Sequence, residues 1–286
     1  RALALLSTRG PQEQVADMIP LSRRADRAVR SILPANASWQ RWASLENLLS
    51  PLAEASPEAF LEATDGGLRG TDPELPKLFL QSGDGFTGRA EHTGLLWALE
   101  TLAWSSQYLS QVAIALAKLA EKDPGGNIAN RPAASLRDVF LLWMPHTTAS
   151  MEARLEVIKM LLERHSKVGW ALVIKLWPEN GGTVMTRATP EWQDWADGWK
   201  RGVTRGELSK ANVALVELSF IAAEAVPERW IELLKHLKSL GPDLLETALA
   251  SLEKLAATSA DAEFRFKLWT ELKEQIQRHT YFSDAK

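Results

Sequence analysis

The sequence predicts an all-α protein: an irregular α-solenoid of stacked antiparallel helical hairpins, HEAT-like or TPR-like in character. Apolar residues recur at spacings of three and four along most of the chain, and no stretch shows convincing strand alternation. Five times an apolar helix ends in a short break and a second helix follows at once. Short breaks imply antiparallel neighbours. A lone amphipathic hairpin cannot bury its stripe, so successive hairpins must stack.

Taken in order, residues 1–34 read as an N-terminal helical segment continuing from an upstream region, because Arg1-Ala2-Leu3-Ala4-Leu5-Leu6 reads like the middle of a helix. Residues 35–280 read as the repeat domain, with inserts near 123–148 and 178–204, and residues 281–286 as a frayed tail. Helix starts are expected after Ser38, Ser105, Ser166 and Ser259, and at Ser56-Pro57-Glu58, Asp72-Pro73-Glu74 and Thr189-Pro190-Glu191, where a capping oxygen precedes Pro. Thr204 and Glu207 have capping-box spacing. Asp123-Pro124-Gly125-Gly126, Pro178 with Gly181-Gly182, and Gly241-Pro242 mark stops.

The five breaks lie at Ser56-Pro57, Ser105-Ser106, Ser166-Lys167, Val226-Pro227 and Ser259-Ala260. A large apolar residue follows in the first turn after each: Phe60, Leu109, Trp170, Trp230 and, one position later, Phe264. Each is placed to wedge against the preceding helix. Apolar stripes run through Leu109, Val112, Ala113, Leu116, Leu119 and Ala120, through Met151, Leu155, Ile158 and Leu162, and through Trp230, Leu233, Leu234 and Leu237. Break spacing is irregular, and the two long gaps are each expected to hold an extra Trp-bearing helix, Ser135 to Trp143 and Pro190 to Arg201.

The formal net charge of -3 over 286 residues gives no global pull toward nucleic acid or an anionic membrane. With no cysteine, disulfides and thiolate metal sites are excluded, and a cytoplasmic location is expected. No apolar run approaches the roughly 20 residues that span a bilayer. The five His are scattered, without HExxH or i, i+4 pairing, and no nucleophile–base pair emerges, so neither an enzyme nor a cofactor is expected. Gly83-Asp84-Gly85-Phe86-Thr87-Gly88 matches GxGxxG literally but lacks the strand that a dinucleotide site needs, and reads as a loop. Acid pairs such as Glu152/Glu156 read as surface charges pairing with Lys159 and Arg154.

Candidate contact residues fall in two places. In the loop Asp123 to Pro132, Asn127 and Asn130 accompany Arg131, whose guanidinium suits a carboxylate or phosphate, although the same loop also reads as a structured connector. Trp192, Trp195 and Trp199 share one helical face, followed by Arg201 and Arg205. That pattern suits an aromatic and basic platform for a peptide or single strand, and at this spacing it also reads as a core stripe. Arg23, Arg27 and Arg30, with Arg24 beside them, form a further cationic face close to Asp17 and Asp26.

Leu95-Leu96-Trp97-Ala98-Leu99-Glu100-Thr101-Leu102-Ala103-Trp104-Ser105, then Tyr108-Leu109, Asp123-Pro124-Gly125-Gly126-Asn127 and Asn130-Arg131-Pro132, resemble the C-terminal helical-repeat region of very large bacterial STAND-type NTPases. Asp194-Trp195-Ala196-Asp197-Gly198-Trp199-Lys200-Arg201-Gly202 fits the same resemblance, and Ile128 stands where an aromatic is expected. The resemblance implies a defence-associated, non-catalytic sensor or scaffold that recognises a foreign protein, often from phage, through a surface carried beside upstream effector and NTPase domains. It carries over no catalytic residues. The alternative expectation is a nucleic-acid-binding helical repeat using the arginines at 23–30 and 201–205.

Overall fold

A computed structural model describes residues 2–4, 21–80, 91–126, 129–178, 188–199, 202–259 and 261–283, and among them every regular element is helical. The chain falls into two compact units, Arg1–Leu172 with Thr183–Val203, and Val173–Gly182 with Thr204–Lys286.

After helical residues 2–4, the first unit holds α1 (Leu21–Ile32) and a short α2 (Trp39–Ser44). Next come the hairpin α3 (Leu49–Ala55) and α4 (Pro57–Gly67) and the hairpin α5 (Thr93–Ala103) and α6 (Leu109–Lys122). These are followed by α7 (Pro132–Phe140), α8 (Met151–Arg164) and α9 (Ser166–Lys175), whose residues 173–175 count with the second unit. Helix α1 lies against α3 and α4; then α3 packs on α5 and α4 on α6. The first helix of one hairpin thus meets the first of the next, and the second meets the second. Gly94 permits the tight approach of α5 to the 3-10 turn Glu46–Leu48, since a Cβ there would run into the Glu46 carbonyl.

The second unit repeats that pairing. It holds α10 (Arg205–Ala225), α11 (Arg229–Leu233), α12 (Pro242–Thr258) and α13 (Ala262–Ser283). Here α10 packs on α12 and α11 on α13. The Thr204–Glu207 capping box forms in full: the Glu207 amide donates to the Thr204 hydroxyl, and the Thr204 amide to the Glu207 carboxylate. The buried Arg229 guanidinium donates to the Ala222 carbonyl near the C-terminus of α10 (2.9 Å).

All five breaks separate helices at the expected places, and Phe60, Leu109, Trp170, Trp230 and Phe264 are all buried. Fully burying such a side chain is worth about 1.5–3 kcal/mol. The stripe from Leu109 to Leu119 is buried, as is Trp230 to Leu237. In α8 the buried line is Val157, Ile158, Leu161 and Leu162, while Met151 and Leu155 sit at its edge.

Several local expectations are corrected. Ser56 does not cap α4; its hydroxyl donates to Asp26 on α1 (2.5 Å), tying the hairpin bend to the preceding helix. Asp72-Pro73-Glu74 leads only into the 3-10 turn Leu75–Phe79; Asp72 pairs with Lys77 (2.8 Å), and Glu74 accepts from the Trp39 amide and Lys77. After Ser105 the chain makes a turn, and α6 begins only at Leu109. Arg154 is no surface charge: it is buried and donates to the Leu141 carbonyl (3.3 Å). The helix expected over Ser135–Trp143 starts three residues earlier, at Pro132, and ends at Phe140. The described part of Pro190–Arg201 consists of bends and turns, not a helix.

Candidate interaction site

Along residues 188–203 the described chain is fastened to the first unit by its aromatic rings and by one acid. The Trp104 indole donates to the Ala188 carbonyl (2.8 Å), and the Trp199 indole donates to the Pro145 carbonyl (3.0 Å). Trp199 meets Trp104 edge-on, 5.0 Å between centroids, and His146 stacks on the same Trp104. Glu54, only 2% exposed, accepts the backbone amides of Glu191, Trp192 and Gln193 at 2.7–3.2 Å, and the Gln193 side chain donates to the Glu54 carbonyl. Successive backbone N–H groups pointing at one spot make an anion cradle, and here the occupant is the chain's own carboxylate.

This arrangement corrects the aromatic-platform reading. Trp192, Trp195 and Trp199 do not line one face of a helix; each is half-buried in a segment of turns. Trp195 packs edge-on against Tyr108 (5.8 Å), whose hydroxyl donates to Glu58 (2.6 Å). Burial, and then the Glu58 carboxylate, push the Tyr108 hydroxyl well above the ordinary tyrosine pKa.

Glu58 stands at one end of a groove of about 360 Å³ between α4 and α6, floored by Leu61, Leu68, Ile114 and Ala115 and edged by Glu62, Asp65 and Lys118. Asp65 accepts from Lys118 (3.0 Å) and pairs with Arg69, and Glu62 pairs with Arg30. Partial burial opposes the charge on Asp65, but the bonds and charges of Lys118 and Arg69 outweigh it and hold its pKa below the usual carboxylate range. The groove is therefore apolar at its floor, with ions tied down along its edges, which suits a helix or peptide carrying apolar anchors. A second, shallower groove lies between α10 and α12, edged by Glu224, Asp243, Glu246 and Lys254.

The loop at 123–131 spends its charge internally. Arg131 pairs with Asp123 (2.9 Å), with both side chains largely buried, and Asp123 also accepts from the Gly125 amide (3.0 Å). The Arg131 fork expected to receive an outside carboxylate thus already faces one. The Asn130 carbonyl accepts from His92 Nε2 (2.9 Å), and His92 stacks on Phe79 (4.5 Å). Burial drives the His92 pKa down against that hydrogen bond, and burial does the same at His146. Asn127, Arg201 and the Gly83–Gly88 motif lie outside the described residues. Arg205 opens α10 in the second unit, while Trp192, Trp195 and Trp199 belong to the first. Arg23, Arg24, Arg27 and Arg30 are exposed on α1, with Arg30 committed to Glu62.

The groove was missed in the sequence although a signal existed. Glu58, Glu62 and Asp65 follow i, i+4, i+7 spacing beside Leu61 and Leu68, an acidic and apolar edge on one helix. Among the described residues no group of three or more His, Cys, Asp or Glu is placed to hold a metal, and no helix is long and apolar enough to cross a membrane.

These features define an all-helical protein with a helix-lined surface groove. Compared with protein-family models, with curated proteins and with solved structures, the chain has no match.

Proposed function

We propose that the chain is a non-catalytic helical-repeat interaction module, an irregular α-solenoid whose α4–α6 groove receives a protein ligand. The observation that carries this reading is the pairing of first helix on first helix and second on second, recurring in both units. Such stacking grows an extended surface, and its grooves recur between like helices. The charge of the two grooves supports a protein over a polyanion: each is edged by three carboxylates and one lysine. The resemblance to the sensor region of STAND-type NTPases extends the proposal. The ligand is then a foreign protein of phage origin, sensed in the bacterial cytoplasm, and an NTPase elsewhere in the same polypeptide produces the response.

A photo-crosslinking residue at Gln111, in the groove, tests this reading against one at Glu217 on α10. In bacteria carrying the full polypeptide, infection should yield a phage protein crosslinked at Gln111 and not at Glu217. Equal crosslinking at both positions, or none at Gln111, refutes the groove. Tight binding of the chain to DNA or RNA that weakens steeply with salt would replace the reading with a nucleic-acid one.

A further inference from the structure

The second unit carries an apolar face that the α4–α6 groove does not involve. On α13, Phe264 and Leu268 are buried and turn inward, and Lys235 of the 229–239 segment reaches Glu271 (3.8 Å). The outward face carries Phe266, Trp269, Leu272 and Ile276, which are 66%, 57%, 37% and 59% exposed. At 100° per residue these four share one side of the helix with Arg265 and Lys273, and Lys273 lies over the Trp269 ring at 5.1 Å. Acids are absent from that side. Glu263 and Glu274 fall on the flank, where Glu263 holds Lys267 (2.6 Å).

We propose that this face of α13 seats an acidic amphipathic helix of a partner protein, with the partner's apolar stripe on Trp269 and Ile276 and its carboxylates on Arg265 and Lys273. The first unit shows how such a seat works. There α6 lies on α4, with opposite charges joined between the two helices by Asp65 and Lys118. The α13 face extends the same stacking mode, second helix on second helix, with cations on the receiving side. A second copy fits poorly, because antiparallel pairing about Trp269 sets Arg265 opposite Lys273. An anionic bilayer fits less well than a helix. A plane wide enough to cover the stripe also approaches Glu263 and Glu274, whereas a single helix leaves both in water.

The probe is a fluorescently labelled amphipathic peptide of about 18 residues, some 27 Å when helical, with Leu at heptad a and d positions and Glu elsewhere. A matching peptide with Lys in place of Glu serves as its counterpart. Titrated with the full 286-residue chain, the Glu peptide should bind at least about tenfold more tightly than the Lys peptide, a difference of roughly 1.4 kcal/mol. Trp269→Ala with Ile276→Ser should abolish the preference, and Arg265→Glu with Lys273→Glu should reverse it. Ile221→Ser, at an exposed apolar position on α10, should leave it intact. Equal binding of both peptides, or no effect of the α13 substitutions, overturns the proposal. So does a chain dimer that Trp269→Ala dissociates, or binding to phosphatidylserine vesicles without peptide binding. Because α4 and α6 are untouched, failure here leaves the Gln111 crosslinking result standing, and the converse also holds.

Discussion

In the α5/α6 hairpin of the first unit, nine of the eleven residues of α5 and seven of the fourteen of α6 are buried. In the α12/α13 hairpin of the second unit, α12 buries only Ala248 and Leu252, and α13 keeps four large apolar side chains in solvent. Both hairpins pair like helix with like helix. The difference lies in their neighbours: α5 touches α3, α6 and α7, and α6 touches α4, α5, α7 and α8, whereas α12 meets chiefly α10, and α13 chiefly α11. The number of covered sides counts beside composition: α6 and α12 each carry nine Ala, Val, Ile or Leu, yet seven residues are buried in α6 and two in α12. An uncovered hairpin therefore presents as surface the same kind of residues that its counterpart hides.

The sharpest way to break this comparison is to truncate one Trp from each hairpin. Trp104→Ala removes a fully buried ring, leaves the Ala188 carbonyl without its donor, and strips the edge contact to Trp199. It should cost about 3–5 kcal/mol. Trp269→Ala on α13 should change stability by less than about 0.5 kcal/mol, because that ring is more than half exposed. Guanidinium unfolding midpoints compare the two directly, and equal losses would mean that the α13 face is covered in solution.

Next in size is Glu54→Ala. It leaves the amides of Glu191, Trp192 and Gln193 without their shared acceptor and should cost about 3 kcal/mol. Hydrogen exchange reads this locally: those three amides should lose protection, while amides in α12 and α13 keep theirs. Unchanged protection at Glu191–Gln193 would show that the aromatic anchors alone hold the 188–199 segment.

How far the fold was legible in advance follows from the same contrast. Hairpin breaks and wedge residues are local features, and Ser56-Pro57 with Phe60 or Val226-Pro227 with Trp230 showed them plainly. The Trp192–Trp199 segment misled because i, i+3, i+7 spacing is only permissive of a helix. What decides its conformation is remote: Glu54, 137–139 residues away in sequence, takes the amides that would begin a helix. The Trp104 and Trp199 indoles meanwhile find distant carbonyls at Ala188 and Pro145. The Arg131 fork looked available for the same reason, since nothing in a linear reading says that Asp123 will turn back onto it.

Acidification should also separate the units. Burial lowers the folded-state pKa of both His92 and His146, which belong to the first unit. From about pH 6.5 downward the unfolded chain binds protons at these rings that the folded chain refuses, so stability rises with pH across that window. The contribution is complete above pH about 6.5 and is lost as pH falls toward the lowered folded values, by at most about 1.4 kcal/mol per unit of depression at each ring. His146→Phe keeps an aromatic ring against Trp104 and should flatten the pH slope of the first unit's unfolding. An unchanged slope would assign the effect to His92.

The smallest test uses one substitution at two glycines that have open space around them. Gly198, in the first unit, holds φ at 75°, a left-handed conformation that an L side chain resists, so Gly198→Ala should cost about 1 kcal/mol although nothing lies within reach of the new methyl. Gly206 occupies the first turn of α10, its φ is not in the left-handed region, and its surroundings are equally empty. There Ala narrows the unfolded ensemble without strain, and Gly206→Ala should raise the stability of the second unit by about 0.5 kcal/mol. Opposite signs from equally uncrowded positions would show that backbone conformation, not contact, governs both. If Gly206→Ala destabilises instead, α10 does not begin at the Thr204 cap, and the pairing of α10 with α12 must be redrawn from its first turn.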